Sequence, residues 1–360
     1  MKLTNLFLIS VLIYSVPVSA AGWGMEQGTP DIASAGALAF GPGNVLLIGD
    51  TKSAAVFAID TGSADGDSAK ANINIPDLAG KISSVVGGKA SINDMAAHPE
   101  TGVVFMSITA SGKPAIVQID GAGKVSKVSL TEVEFSKAVL ADAPEDRATG
   151  QGRRRRNNRA DVITDLAFFE GKVLVSGLRS KGAPSSVREL DFPFAESDRG
   201  IGVQIYHAAH GQEEEYSAMR TFVPLMIDGK PNLLGAYVCT PLIKFPLDAL
   251  DSADDKVKAT TVAELGNRNR PLDMIRYDKD GAEFLLLSNS ARGVMKISTA
   301  GLTENKGLTK PVRGGGVAGQ DFETVDSMSG VVQMDKLNET HAVVLVSHRG
   351  SLDLKTVPLP

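Results

Sequence analysis

Short apolar runs separated by polar turns recur along this chain, and residues 267–298 show the pattern most clearly. Three apolar runs lie there, at 274–277, 284–287 and 294–297. The turn between the first two ends in Asp280-Gly281, a pair that is typical of tight hairpins. This spacing predicts an antiparallel hairpin followed by a third strand.

The same plan of strand, turn, strand, turn, strand occurs six times along the chain. The copies begin at Ala37, Asp94, Asp165, Thr221, Asp273 and Gly330, at intervals of 52 to 71 residues. Segments between the copies can supply a fourth strand: 71–75, 124–130, 203–207, 260–264 and, with a weaker pattern, 308–312. Four antiparallel strands per unit, repeated radially, are typical of a β-propeller.

We therefore predict an all-β chain that forms a six-bladed β-propeller of four-stranded antiparallel blades, as a single domain over residues 21–360. The N-terminal segment 22–32 is expected to supply a strand that closes the ring with the last blade. Closure would leave only short, protected sheet edges, which matters because an open edge can template aggregation.

The repeat unit resembles that of the six-bladed propellers of the NHL, strictosidine-synthase and gluconolactonase-like group. The resemblance rests on the run LAFGPGNVLLIGDT from Leu38, on AVFAID from Ala55, and on their echoes in the other copies. It is a resemblance of architecture, and it implies a propeller. The group includes calcium-dependent lactonases and esterases as well as plain binding modules, so it leaves an enzymatic and a binding role both open.

The first twenty residues have the layout of a secretory signal peptide. Lys2 provides a basic start, 6–14 is an apolar run, and Val18-Ser19-Ala20 ends it in small residues. The run is too short to span a bilayer, and no later stretch is long and apolar enough. We expect an exported protein, periplasmic or secreted, with no membrane span.

Net charge and cysteine content bear on the possible partners of the protein and on its covalent stabilisation. The formal net charge of −5 argues against nucleic acid as a partner. Cys239 is the only cysteine, so an exported chain must hold together here without an internal disulfide. We interpret Cys239 as a small buried hydrophobe, because a catalytic thiolate would need a neighbouring base in an electropositive setting.

The segment 141–159 departs from the repeat. It is polar, rich in glycine and arginine, and has no apolar period. We predict a mobile surface loop between the second and third blades. A protease-sensitive site, or a contact with an anionic partner through the arginines at 153–156, is the alternative.

One face of a propeller carries the loops that enter each innermost strand and the loops between the second and third strands. The repeat places an arginine-rich set there, together with Asn267: Arg179, Arg268, Arg270, Arg292, Arg313 and Arg349. Arginine forks suit carboxylate or phosphate, and the glycines 314–316 would let backbone N–H groups approach an anion. The alternative is a solvated rim with scattered salt bridges, each worth little.

Three aspartates occupy the same repeat position, just before two apolar residues: Asp94, Asp165 and Asp273. Three carboxylates around a narrow channel repel one another unless they are neutralised. A Ca²⁺ ion would do this, with Asn93 and Asn289 as further oxygen ligands. Alternatively each aspartate caps its own strand turn or pairs with an arginine such as Arg220 or Arg270.

A histidine pair, His207 and His210, precedes the acidic run 213–215. A spacing of three can bring two imidazoles together in a turn, but places them on opposite faces of a strand. We predict a strand over 203–207, which weakens a metal site, whereas Gly211 favours a turn and keeps it open. Cys239 and His348 are residues that could complete such a site.

Two functional hypotheses follow. The first is an exported propeller that binds an anionic small molecule or a partner protein on its arginine-rich face. The second is a calcium-dependent hydrolase of the lactonase or esterase type, in which Asp94, Asp165 and Asp273 hold the ion and His348 or His210 acts as general base. No catalytic motif in the sequence decides between them, so whether the chain is an enzyme stays open, and no cofactor beyond Ca²⁺ is indicated.

Overall fold

The structure, a computed structural model, describes residues 23–62, 65–152, 155–195 and 199–360. The predicted signal peptide, residues 1–20, therefore lies outside the described residues, as do Arg153 and Arg154 of the arginine-rich segment. Among the residues that the structure describes, no helix is long and apolar enough to cross a membrane.

Short strands dominate the described chain. The first ten are β1 (Glu26–Gly28), β2 (Leu38–Phe40), β3 (Val45–Asp50), β4 (Ala55–Asp60), β5 (Asn74–Ile75), β6 (Ala90–Ala97), β7 (Val104–Ala110), β8 (Lys113–Ile119), β9 (Val125–Lys127) and β10 (Val133–Val139). The next ten are β11 (Ala148–Thr149), β12 (Arg156–Asn157), β13 (Asp165–Phe169), β14 (Lys172–Leu178), β15 (Ser185–Asp191), β16 (Ile201–His207), β17 (Gln212–Glu214), β18 (Thr221–Ile227), β19 (Lys230–Ala236) and β20 (Pro241–Pro246). The last ten are β21 (Lys256–Lys258), β22 (Thr260–Glu264), β23 (Pro271–Lys279), β24 (Ala282–Asn289), β25 (Gly293–Ser298), β26 (Ala318–Gly319), β27 (Phe322–Thr324), β28 (Val331–Lys336), β29 (His341–His348) and β30 (Ser351–Pro358). The helices are α1 (Leu78–Val86), α2 (Asp248–Ser252) and two short 3-10 turns, Asn158–Asp161 and Asp326–Met328.

All of these strands except β11 and β12 form six blades, in which every pairing is antiparallel except that of β16 with β21, and this confirms the predicted six-bladed propeller. Numbered by their inner strands along the chain, blade 1 is β2-β3-β4-β10-β1, blade 2 is β6-β7-β8-β9, and blade 3 is β13-β14-β15-β16-β17 with β21 beside β16. Blade 4 is β18-β19-β20-β22-β26, blade 5 is β23-β24-β25-β27, and blade 6 is β28-β29-β30-β5.

The blades do not follow one another around the ring in chain order. The inner strand β6 of blade 2 packs between β2 of blade 1 and β28 of blade 6, whereas β2 also contacts β13 of blade 3. The apolar clusters between blades show the same order, because one joins blades 2 and 6, another joins blades 1 and 2, and a third joins blades 1 and 3. The ring order is therefore 1, 3, 4, 5, 6, 2.

Two strands that cross between blades produce this order and close the ring. After the three inner strands of blade 1, the chain reaches blade 6, where β5 pairs with β30. It then builds blade 2 and returns to blade 1, where β10 pairs with β4. The prediction that 22–32 closes the ring with the last blade is wrong, because β1 pairs with β10 on the edge of blade 1.

Some of the predicted fourth strands are observed where they were expected and others are not. Those at 124–130, 203–207 and 260–264 are confirmed by β9, β16 and β22. The strand at 71–75 exists as β5 but belongs to blade 6. The prediction at 308–312 is wrong, because β27 is the outer strand of blade 5.

Apolar side chains from facing blades fill each of the six seams. The middle strands have both faces covered; in β3 all six residues are buried. This explains why they read as continuous apolar runs, and burial of this kind is the main stabilising term of such a fold.

The segment 141–159 is more structured than an irregular loop. Its strands β11 and β12 pair as a short ribbon that continues into the first 3-10 turn. The guanidinium of Arg159 ties it down by donating to the carbonyls of Pro144 at 2.6 Å and Lys52 at 3.0 Å. Its mobility stays a prediction.

Candidate functional site

The channel at the centre of the ring contains two chambers. The smaller, about 200 Å³, lies where the chain enters the inner strands and is lined by polar residues that include Asn93, Arg220, Arg270 and Gln333; we call it the entry chamber. The larger, about 390 Å³, continues toward the other face along residues such as Leu38 and Phe222. Both chambers are lined by the same three carboxyl groups, those of Asp94, Asp165 and Asp273.

Each of these aspartates bridges two neighbouring inner strands. Asp94 Oδ2 accepts from the Leu38 N–H of blade 1 at 2.7 Å. In the same way, Asp165 accepts from Phe222 of blade 4 at 2.9 Å, and Asp273 accepts from Met334 of blade 6 at 2.7 Å.

The second oxygen of the carboxylate caps its own strand. Asp165 Oδ1 accepts from the Leu166 N–H, and Asp273 Oδ1 from the Met274 N–H, both at 2.8 Å. The capping alternative from the sequence is therefore observed. The alternative of pairing with Arg220 is not, because Arg220 binds Asp161 at 2.8 Å.

A fourth aspartate, Asp335, was missed by the sequence analysis. It lines the larger chamber, and its Oδ2 accepts from the Ala97 N–H of blade 2 at 2.7 Å. The residue of blade 6 that corresponds to Asp94 is Gln333, not Gly330, because Met334 follows it as Met95 follows Asp94. The Gln333 amide donates to the Asn93 carbonyl at 2.8 Å.

Burial and mutual repulsion make these carboxyl groups hard to ionise. Burial, reinforced by the charge of Asp165, raises the pKa of Asp94 to about 8. Burial raises the pKa of Asp165 and of Asp335 to about 6, and burial together with Asp94 raises the pKa of Asp273 well above its usual range. Of these groups, Asp94 therefore keeps its proton near neutral pH.

The geometry does not assemble the calcium site of the second hypothesis. Among the described residues, the three aspartates do not form a group whose ligand oxygens all lie within 4.8 Å of one another. The amide of Asn93 donates to the Ala35 carbonyl at 2.8 Å, and Asn289 is buried in a bond with Asn269 at 3.0 Å. One ion sharing all three carboxylates is therefore disfavoured.

Arg270 is the member of the predicted arginine set that lines the entry chamber, where Arg220 lies beside it. Its backbone is fixed by two bonds with Ser290, at 2.9 and 3.0 Å. Within the described chain its guanidinium has no hydrogen bond or ion pair. Arg270 is solvent-exposed; its partial burial, and then the charge of Arg220, lower its pKa, and the charge of Asp161 acts in the opposite direction.

The other predicted ligands lie elsewhere. Asn267 packs against Gly315, where an added Cβ would meet its side-chain oxygen at 2.7 Å, and the guanidinium of Arg292 lies against Gly266. Arg268, Arg313 and Arg349 are exposed. Arg179 is not a mouth residue, because its buried guanidinium binds the carbonyls of Ala183 and Gly200 and the carboxylate of Asp255.

The candidate general bases lie away from the channel. His348 is exposed at the end of β29, and His210 bonds to Glu214; neither lines a chamber. The structure therefore does not bring either histidine to the aspartates, and their role as general base stays a prediction.

A separate cluster forms where blades 3 and 4 meet. His207 ends β16, and the turn that follows brings His210 over it, with ring centroids 3.9 Å apart. Both Nδ1 atoms bond to the Glu214 carboxylate, at 2.8 Å from His207 and 2.7 Å from His210. Cys239, on the β19–β20 turn, completes a group whose ligand atoms all lie within 4.8 Å of one another.

The protonation states in this cluster are consistent with its bonds. Burial alone would raise the pKa of Glu214, but the hydrogen bonds from both histidines lower it to about 2. Burial lowers the pKa of His207, against the pull of Glu214. An ionised carboxylate beside a neutral imidazole is the resulting state.

No protein-family model matches the chain, and no curated protein matches its sequence. Several solved structures are similar over most of the chain at low identity. A chain of a mitotic checkpoint complex is 8% identical, with 100% of this chain and 99% of that chain covered and a TM-score of 0.40. A PQQ-bound aldose sugar dehydrogenase from Streptomyces coelicolor is 10% identical, with 92% and 98% covered and a TM-score of 0.29. An oxidoreductase (glucose dehydrogenase) from Thermus thermophilus is 11% identical, with 92% and 99% covered and a TM-score of 0.33. Scores this low carry no conclusion about activity, ligand or partner.

Proposed function

We propose that this propeller binds a small organic anion that also carries hydroxyl groups, of the hydroxy-acid or sugar-acid type, in its entry chamber. The observation that supports this most is the guanidinium of Arg270, which lines the chamber without a bonding partner in the described chain. A carboxylate is the natural partner of such a group, because arginine binds it through two parallel hydrogen bonds.

The chamber floor favours the same kind of ligand. A carboxyl group that keeps its proton, as Asp94 does near neutral pH, repels an anion less than a carboxylate does and can both donate to and accept from hydroxyl groups. The amide oxygen of Gln333, a residue that lines the chamber, is buried and has no hydrogen-bond partner. A chamber of about 200 Å³ is smaller than sites for drug-sized ligands, which suits a compact polar molecule.

A binding role fits this site better than calcium-dependent hydrolysis. Each aspartate accepts a backbone N–H across one seam between blades, and neither candidate histidine lines the chamber. Capture of a partner protein on the wider arginine face would involve the exposed Arg268, Arg313 and Arg349 instead of the channel.

A melting-temperature screen tests the proposal. Gluconate is compared with glucose, which has the same hydroxyl pattern without the anion, and with acetate, which has the anion without hydroxyls, all at constant ionic strength. We expect gluconate to raise the melting temperature more than either. Equal shifts with all three, or none with any hydroxy acid, would refute it.

A further inference from the structure

Two histidines and a cysteine from neighbouring blades converge at a place that the proposed function does not use. His207 and His210 come from blade 3, and Cys239 comes from the hairpin of blade 4 that faces it. One ligand atom from each residue lies within 4.8 Å of the other two. Two imidazoles and a thiol are ligands that first-row transition metals prefer.

The hydrogen bonds to Glu214 leave the other nitrogen of each imidazole available. Since Glu214 holds the Nδ1 atoms of both imidazoles, Nε2 is the nitrogen that each can offer to a metal. The His207 side chain is only 4% exposed, yet its Nε2 has no hydrogen-bond partner. A buried, unpaired imidazole nitrogen is costly, and a ligand at that nitrogen removes the cost.

Glu214 takes the position of a supporting carboxylate. In metal sites the ring nitrogen that does not bind the ion usually donates to a carboxylate, which fixes the ring and raises its basicity. A single carboxylate that orients two histidines at 2.7 and 2.8 Å is this arrangement twice over.

The thiol is held in place by a strained turn. Cys239 has a φ of 66°, a left-handed conformation that favours glycine or asparagine, and Thr240 follows at 57°. The turn is fixed from outside, since the Cys239 N–H donates to the Asn269 carbonyl at 2.7 Å and Thr240 Oγ1 donates to the Gly266 carbonyl at 2.7 Å. Strain of this kind persists where the surroundings enforce it, often at functional positions.

We propose that His207, His210 and Cys239 bind one transition-metal ion of the zinc class through two imidazole nitrogens and a thiolate, with Glu214 orienting both imidazoles. The thiol releases its proton to solvent when the sulfur binds. A void of about 10 Å³ adjoins His207, Glu214, Tyr216 and Tyr237, which is space for about one water molecule. Zinc sites with three protein ligands keep a fourth position that water can occupy.

Cobalt(II) titration of the metal-free full-length protein, with the thiol kept reduced, tests this directly. We expect one equivalent to bind, with near-ultraviolet charge-transfer absorption from a thiolate bond and visible bands of a four-coordinate ion. Zn²⁺ should displace the Co²⁺ and remove both signals.

Variants separate the site from adventitious binding. Cys239→Ser should abolish the charge-transfer band, His210→Ala should remove stoichiometric binding, and Glu214→Gln should weaken affinity about 10- to 100-fold. His341→Ala removes a histidine on blade 6 and should change nothing. If folded wild-type protein binds no stoichiometric Co²⁺, or if binding survives both Cys239→Ser and His210→Ala, the site does not exist. Arg270→Ala, the variant that tests the entry chamber, keeps all three metal ligands. A failure of the metal proposal can therefore be told apart from a failure of the anion-binding proposal.

Discussion

Asp273 Oδ2 on blade 5 accepts the Met334 N–H of blade 6 at 2.7 Å, so one carboxyl group joins the inner strands of two blades. The same bond recurs from blade 6 to 2, from 2 to 1 and from 3 to 4. The aspartates that the sequence suggested as metal ligands therefore link the inner strands of neighbouring blades by hydrogen bonds. Their carboxyl groups also form the floor of the entry chamber.

Because Asp273 links blades 5 and 6, we predict that Asp273→Ala lowers the stability of the fold. Removing the carboxyl group leaves the Met334 and Met274 N–H groups without their acceptor, at about 1–3 kcal/mol for each buried unsatisfied donor. Urea unfolding at pH 5 should show this cost. Asp278→Ala changes an exposed aspartate farther along the same strand and should have little effect. Equal stability of the two variants would contradict the role.

Stability should fall as pH rises from about 4 to 8. The unfolded chain releases the Asp94 proton near its ordinary pKa of 3.8, but the folded chain holds it up to about 8. The folded state therefore binds more protons across this window, and the free energy of unfolding decreases with pH. One pKa unit corresponds to about 1.4 kcal/mol, so the change should amount to a few kcal/mol.

Asp94→Asn provides the control for this pH dependence. Its amide oxygen can still accept from Leu38, but it cannot titrate. Melting temperatures from pH 5 to 8 should therefore follow a flatter slope in the variant than in the wild type, even if the variant is less stable throughout. Parallel slopes would show that Asp94 does not carry the effect.

The strand β5, which crosses from blade 1 to blade 6, should contribute more to the stability of the ring than the N-terminal strand β1. Ile75 of β5 is 2% exposed and packs in the cluster between blades 2 and 6. Ile75→Ala should lower the free energy of unfolding by about 2–5 kcal/mol. Gln27→Ala alters an exposed residue of β1, at the edge of blade 1, and should change it little. The opposite order of effects would restore the N-terminal segment as the closing strand.

Affinity for a hydroxy acid should also depend on pH. Burial raises the pKa of Asp165 to about 6 and of Asp94 to about 8, so the chamber floor gains negative charge as pH rises across that interval. Repulsion should weaken gluconate binding between pH 5.5 and 8.5. Affinity that increases with pH would place the ligand away from the aspartates.

The repeat predicted the fold class and the number of blades. This was possible because the buried strands of each blade leave an apolar pattern in the sequence of that blade. The order of the blades was not predictable in this way. β5 is a two-residue strand, and its partner β30 lies some 280 positions away, so nothing in its own alternation identifies the blade it joins.

In the candidate sites too, residues at a repeated position could be predicted, whereas those brought together by contacts between blades could not. Asp94, Asp165 and Asp273 were found from their shared place in the repeat, and Arg270 from its place on the entering loop. Asp335 was missed because it does not share that place: Gln333 corresponds to Asp94 in blade 6, and Asp335 lies two residues farther along β28. The sequence offered both Cys239 and His348 as residues that could complete the histidine site, and only the contact between two blades shows that Cys239 lies beside the histidines.

The most direct test of the account is calorimetric titration of gluconate into the wild type, Arg270→Ala and Arg199→Ala at pH 6. Arg199 is an exposed arginine of blade 3 whose guanidinium donates to the Asp254 carbonyl, so its variant matches the loss of charge without touching the chamber. We predict one site per chain in the wild type and in Arg199→Ala, and at least a tenfold loss of affinity in Arg270→Ala. Equal affinity in all three proteins would contradict a binding site built around Arg270.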